Sequence, residues 1–150
     1  MLTAVSAGVL LLGACSSSAD DPATFAKAYR QVTDTYRVSS ESVRTEGQEV
    51  EGVDRLLDVY EQLLTTTEAA RDGYADLQPP SEFESTLGRM VTLLEQEADA
   101  LSELIASARE EDLEGTQSAA SRLTSLVADW NVAMQRMEEL LDACGEPCSD

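Results

Sequence analysis

The most definite chemistry in this chain lies in Cys144-Gly145-Glu146-Pro147-Cys148. Two thiols separated by three residues, with glycine and proline between them, can turn tightly enough to bring the sulfurs into bonding range. A disulfide there closes a very short loop. It gains little from chain entropy and serves mainly to fix the end of the preceding segment. Reduced, the same pair is a redox couple or a soft-ligand site for copper, and the thioethers of Met134 and Met137 lie one helical turn apart nearby. Copper sites of this kind usually add a histidine, and the chain has none. Both methionines also fall on an apolar helical stripe, where core packing accounts for them.

The absence of histidine reaches further. It removes the usual general base, the Ser-His and Cys-His nucleophile pairs, and the commonest zinc and haem ligand. No glycine-rich phosphate loop is present. Carboxylates are abundant, but acid–base catalysis needs one with a raised pKa in a cleft, and the pattern puts most of them on outer faces. Glu51, Asp54, Asp58, Glu61, Glu68 and Asp72 follow one outward stripe. Such a row could hold a divalent cation, but it lacks a cation loop with a turn glycine and reads as a solubilising face. The sequence therefore predicts a protein that is not an enzyme, with no metal and no cofactor. Trp130, Tyr29, Tyr36, Tyr60 and Tyr74 read as core or boundary residues rather than a ligand cage.

The elements carrying these residues are helices. Phe25, Tyr29, Val32, Tyr36 and Val43 recur at three- and four-residue steps, beside a mixed-charge stripe of Lys27, Arg30, Asp34, Arg37, Glu41 and Arg44. That second stripe reads as a solvated face with i,i+4 pairs Arg30–Asp34 and Arg37–Glu41, and less readily as a docking face. A second stripe of core residues runs through Val53, Leu56, Leu57, Tyr60, Leu63, Leu64, Ala70 and Tyr74. A third holds Phe83, Leu87, Met90, Leu94, Ala98, Leu101, Ile105 and Ala108. The fourth holds Leu113, Ala120, Leu123, Val127, Trp130, Met134, Met137, Leu141 and Cys144. Asp21-Pro22 opens the first helix, Asp112 caps the fourth and Gly145 stops it. Ser81 and Glu84 read as a capping box for the third.

Nothing alternates with a period of two, so the fold class is all-α. The expected architecture is an antiparallel four-helix bundle with helices near 22–45, 50–77, 82–109 and 113–144. The alternative is three long helices with the first two fused. A fused helix would be ~80 Å long, and the later helices would cover only part of its stripe. A turn near Gly47 buries all of it and is preferred.

Ahead of the bundle, Leu10-Leu11-Leu12-Gly13-Ala14-Cys15 resembles the lipobox of bacterial lipoproteins: an apolar run, two small residues, then cysteine. The resemblance implies cleavage before Cys15, lipidation of its thiol, palmitate or a similar acyl chain on the new amino terminus, and attachment to the extracytoplasmic face of the cell membrane. The apolar run from Thr3 to Leu12 is too short to span a bilayer and suits a secretory signal peptide. Such leaders begin with Lys or Arg, and Met1-Leu2-Thr3 has neither, which predicts a basic segment upstream of this start. The turn Leu77-Gln78-Pro79-Pro80-Ser81 resembles one in many small, uncharacterised helical exported proteins of actinobacteria, which supports the fold and implies no activity.

The layout expected is a signal peptide at 1–14, a lipidated cysteine and polar tether at 15–21, a helical domain at 22–144, and a cysteine-containing tail at 145–150. The net charge of −19 argues against nucleic acid and against charge-driven binding to anionic lipid. It is unevenly spread. Residues 22–46 carry +1, whereas residues 49–77 and 110–143 each set eight acids against two arginines, for −6 apiece. That predicts the first helix as the electrostatic partner of its neighbours. The leading function is a surface-tethered, non-enzymatic interaction or ligand-binding module of the bacterial envelope, whose partner is an envelope protein or a small ligand. The alternative is a copper- or redox-linked envelope protein using Cys144 and Cys148. Membrane attachment should depend on one thiol. Cys15→Ser, expressed in a bacterium, is expected to leave the membrane fraction and lose the lipid mass seen on the parent chain. Equal sedimentation of the two, with no lipid on the parent, would refute the anchor.

Overall fold

A computed structural model describes residues 21–145 and Cys148. Cys15 and the leader lie outside the described residues, as do Glu146 and Pro147. Four helices run up and down: α1 (Pro22–Glu49), α2 (Val53–Ala75), α3 (Ser81–Arg109) and α4 (Leu113–Cys144). The antiparallel four-helix bundle is the fold, and the first two helices are separate. Among the described residues there is no strand, and no helix is long and apolar enough to cross a membrane.

Local chemistry sets most of the boundaries. The Asp21 carboxylate accepts from the Thr24 N–H at 3.2 Å and from the Thr24 hydroxyl. These bonds, the hydroxyl's above all, hold its carboxyl below the usual range. Asp112 does the same for α4, accepting from Glu114 and Gly115 N–H at 3.1 Å each. Gly145, at φ 76°, ends α4. Two boundaries differ from expectation. Gly47 is not the turn, and α1 runs on to Glu49. Gly47 instead lets α2 come close, since a Cβ there would meet Val59 Cγ1 at 3.1 Å. The reversal falls at Val50-Glu51-Gly52, where Gly52 takes φ 97°. The capping box at Ser81 and Glu84 does not form. Pro80 takes the cap position, its carbonyl accepting from Phe83 N–H at 2.9 Å, with no side-chain cap. Ser81 is already the first helical residue.

The main core fills the half of the bundle beside the α2–α3 turn. Phe25, Tyr29, Tyr74, Phe83, Leu87, Met90, Leu94, Met137 and Leu141 pack there, joined by Cys148. Burying each large side chain contributes about 1.5–3 kcal/mol. Towards the other end the expected stripes are only partly covered. Val53 is 66 % exposed and Leu113 80 %, because they begin α2 and α4 at the open end of the bundle. Leu56, Ala120 and Val127 are also exposed, while Ala119, Ala133 and Val59 are buried in their place. The cause lies in how the helices meet. Each packs closely on the next in sequence, but non-consecutive helices keep their backbones apart, so a residue facing α1 from α4 is covered only where a long side chain reaches across.

Two substitutions separate these boundary effects. Gly52→Ala places a Cβ at a left-handed φ and should cost about 1–2 kcal/mol, read as a lower urea midpoint. Ser81→Ala removes no cap and should change stability by less than about 0.5 kcal/mol.

Candidate functional site

Three core positions at mid-height carry polar side chains. On α1, Ser40 follows Tyr36 by four residues and precedes Val43 by three, so it sits on the buried stripe and is itself buried. On α2, Thr67 falls between Leu63 and Ala70 in the same alternation and is fully buried. On α3, Glu97 falls between Leu94 and Leu101 and is half-buried. Successive helices thus contribute a hydroxyl, a hydroxyl and a carboxylate, immediately below the aromatic core.

Glu97 sits at the floor of a cleft between α1 and α4. The cleft has a volume of about 300 Å³ and is bounded by Tyr36, Arg37, Glu41 and Arg44 from α1 and by Trp130 and Met134 from α4. It exists because the α1 and α4 backbones stay apart and rings bridge the gap. Tyr36 and Trp130 meet edge to face, with centroids 5.8 Å apart and planes at 79°. Trp130 in turn touches Tyr74 at 6.0 Å, and Tyr74 touches Tyr29 at 5.7 Å. The Tyr29 hydroxyl donates to the Met134 sulfur at 3.3 Å, a second tie between α1 and α4. Thr33 Oγ1 donates to the Tyr29 carbonyl at 2.9 Å and therefore accepts from the Tyr74 hydroxyl, also at 2.9 Å.

The polar layer is incompletely satisfied. The Tyr36 hydroxyl reaches Glu97 Oε2 only at 3.5 Å. Thr67 Oγ1 sits against the Tyr36 phenol, yet has no well-formed hydrogen bond. Burial pushes the Glu97 carboxyl up, opposed by the Arg44 charge and the Tyr36 hydroxyl. Burial also raises Tyr36, with the Glu97 charge adding to it, and takes Tyr74 up to about 12 against the Thr33 hydrogen bond. Arg44 faces Glu97 across the cleft without an ion pair of 4 Å or less, and remains exposed.

Glu97 was hidden in the sequence among many acids, but it carries a signal. Phe83, Leu87, Met90, Leu94, Glu97, Leu101, Leu104 and Ala108 alternate four- and three-residue steps without a break. Glu97 is the one charged member of that run, and choosing Ala98 and Ile105 for the stripe passes over it. The mixed-charge stripe of α1 also reads differently in place. Arg37, Glu41 and Arg44 border the cleft rather than a featureless outer face. Arg37 pairs with Asp34 at 3.2 Å rather than with Glu41. The ion pairs between helices are Arg109–Glu61, Arg122–Glu103 and Arg89–Asp129. Among the described residues α1 forms none with its acidic neighbours, so its arginines act through the cleft and the chain end. The acidic stripe of α2 lies outward, with Arg109 engaging Glu61.

Cys144 and Cys148 are bonded to each other, with Cα atoms 5.8 Å apart. The bond folds Cys148 back into the core, where it is 1 % exposed. Arg30 Nη2 donates to its carbonyl oxygen, tying the clip to α1. Met137 is buried and Met134 accepts from Tyr29, so both methionines serve the core. Among the described residues no three Cys, Asp or Glu side chains gather as a metal-binding group. An apolar groove between α1 and α2, about 540 Å³ and lined by Val32, Thr35, Thr66, Ala69 and Gly73, carries no charge. The chain matches no protein family, no curated protein and no solved structure.

The raised Glu97 carboxyl makes a stability prediction whose sign is fixed. A buried acid with a raised pKa holds its proton more tightly when folded, so its ionisation destabilises the fold as pH rises above the ordinary value of 4.5. Glu97→Gln should therefore be more stable than the parent at neutral pH, with the difference vanishing as pH falls below that value. Urea midpoints measured across acid to neutral pH check it. A variant less stable than the parent at pH 7 would mean that Arg44 and Tyr36 outweigh burial.

Proposed function

We propose that this chain is a lipid-anchored, non-enzymatic ligand-binding module of the bacterial envelope, with its ligand received in the α1–α4 cleft above Glu97. The observation that carries the reading is the partly satisfied polar layer at core positions. A bundle of this size gains nothing in stability from a half-buried carboxylate and an unpartnered buried threonine hydroxyl. Four-helix bundles build ligand sites from inward side chains on facing helices at this depth, and the cleft falls in the size range of small-molecule sites.

The lipobox supports the location. Residues 16–20 and Asp21 allow at most about 20 Å of extended reach from Cys15, so the anchored end of the bundle would be the end holding the α2–α3 turn and the disulfide. Helix α1, with 28 residues, is about 42 Å long. The cleft would then open sideways, above the headgroups and within reach of solutes in the envelope. The copper alternative requires Cys144 and Cys148 as free thiols and the redox alternative requires their bond to open; the burial of Cys148 in the core favours a structural clip over either.

Two measurements test the reading. The full chain, equilibrated with a small-molecule extract of envelope material and examined by native mass spectrometry, should retain a compound that Glu97→Gln does not. Retention of nothing, or of the same compounds by both chains, would defeat the cleft as a ligand site. Thiol titration of the exported chain should find Cys144 and Cys148 unreactive; two reactive thiols that take up copper would favour the alternative.

A further inference from the structure

The charges around the cleft are balanced in a protein that is otherwise strongly acidic. Arg37, Glu41 and Arg44 of α1 and Glu97 of α3 line a space of about 300 Å³, two charges of each sign, in a chain of net charge −19. That space holds roughly ten waters, or a ligand of about ten heavy atoms. A simple anion would meet Glu97 and the field of the whole protein. A simple cation would suit Glu97 but would have to share the cleft with two guanidinium groups. A molecule carrying both charges meets neither objection.

The placement of the groups gives the ligand an orientation. Glu97 Oε2 lies beside the Tyr36 hydroxyl, and the Tyr36 and Trp130 rings form a corner at nearly a right angle. A carboxylate beside two aromatic rings is a receptor for an ammonium group, attracted by the charge and by the ring faces. Arg44 lines the same cleft from α1, near enough for its charge to act on Glu97 but with no ion pair between them. We infer that the cleft binds a small zwitterion, its ammonium end in the Glu97–Tyr36–Trp130 corner and its carboxylate or phosphate end on Arg44, with Arg37 at the mouth. The ligand would complete the gap between Glu97 and Arg44, giving each a charge-assisted partner it lacks in the free protein. This rests on the cleft being a ligand site, and it names the class of ligand.

Trp130 is the only tryptophan of the chain, so its fluorescence reports the cleft directly. The full chain is titrated with two zwitterions, glycine betaine and 4-aminobutyrate. It is also titrated with choline, which keeps the cation alone, and with 3,3-dimethylbutanoate, which keeps the shape and carboxylate of betaine without its positive charge. A saturable change with at least one zwitterion is expected, with choline and dimethylbutanoate weaker by about tenfold or more, the loss of one charge-assisted contact. Glu97→Gln and Arg44→Gln should each weaken the zwitterion to a similar degree, whereas Arg109→Gln, which breaks only the distant pair with Glu61, should not. Circular dichroism of the variants establishes that each is folded. Choline or dimethylbutanoate binding as tightly as the better zwitterion would overturn the inference, as would no response to either zwitterion. In both cases retention from the envelope extract decides the broader reading separately. A retained compound that Glu97→Gln loses leaves the ligand site standing with a different ligand class, and no retained compound removes both.

Discussion

Between α1 and α4 the bundle is held by side chains rather than by closely packed backbones. Phe25 and Phe83 stack 4.8 Å apart on one side of the core, and the chain of rings Tyr29, Tyr74, Trp130 and Tyr36 continues from there to the cleft. Aromatic pairs of this kind add about 0.5–1.5 kcal/mol each beyond the area they bury. They also set a spacing. Two helices joined through a tyrosine and a tryptophan cannot approach as closely as two joined through alanines and leucines, and the space left over is the cleft. The exposure of Val127, the partial burial of Glu97 and the presence of Arg44 in the same cleft all follow from that one seam.

The hydroxyls buried along this column are costly unless paired, and the structure pairs them unevenly. In the upper half, Tyr74, Thr33 and the Tyr29 carbonyl form a closed relay, and Tyr29 spends its own proton on a sulfur. One helical turn or two below, the corresponding groups of Tyr36, Thr67 and Glu97 leave donors and acceptors over. The contrast lies within one molecule and between side chains of the same kinds, so it is not a general looseness of packing. The upper set is finished by the protein itself; of the lower set, Tyr36 and Glu97 border the cleft and Thr67 is enclosed behind them.

The helix count, three of the five expected helix boundaries (those at Asp21, Asp112 and Gly145) and the disulfide were legible in the sequence, because each depends on local chemistry: a carboxylate before a helix, a glycine after one, two thiols in a turn. The boundary at Ser81 failed because serine at the head of a helix is only a cap if the chain places it one residue before the first turn, and Pro80 took that place. The turn at Gly47 failed for a related reason. Glycine marks either a reversal or a close approach, and only the position of Val59 on α2 distinguishes them. Glu97 was legible in principle, as the charged member of an apolar alternation, but its meaning depended on which helices close and which stay apart. That is a property of ring sizes across a seam and is not written in any one helix.

The order in which the helices meet also has a kinetic consequence. Because each helix packs chiefly on its neighbour in sequence, most contacts are joined by short connections. The loop-closure cost of forming them is correspondingly small. Topologies of this type belong to the class that folds in microseconds to milliseconds. The hairpins α1–α2, α2–α3 and α3–α4 can each form from a short stretch of chain, while the contact of α4 with α1 spans nearly the whole domain and brings together residues as far apart as Tyr29 and Met134. The seam that carries the cleft is thus the part of the bundle with the highest entropic cost of closure and the fewest backbone contacts to repay it. Separating α1 from α4 along this seam would break side-chain contacts while leaving the three close helix–helix interfaces in place.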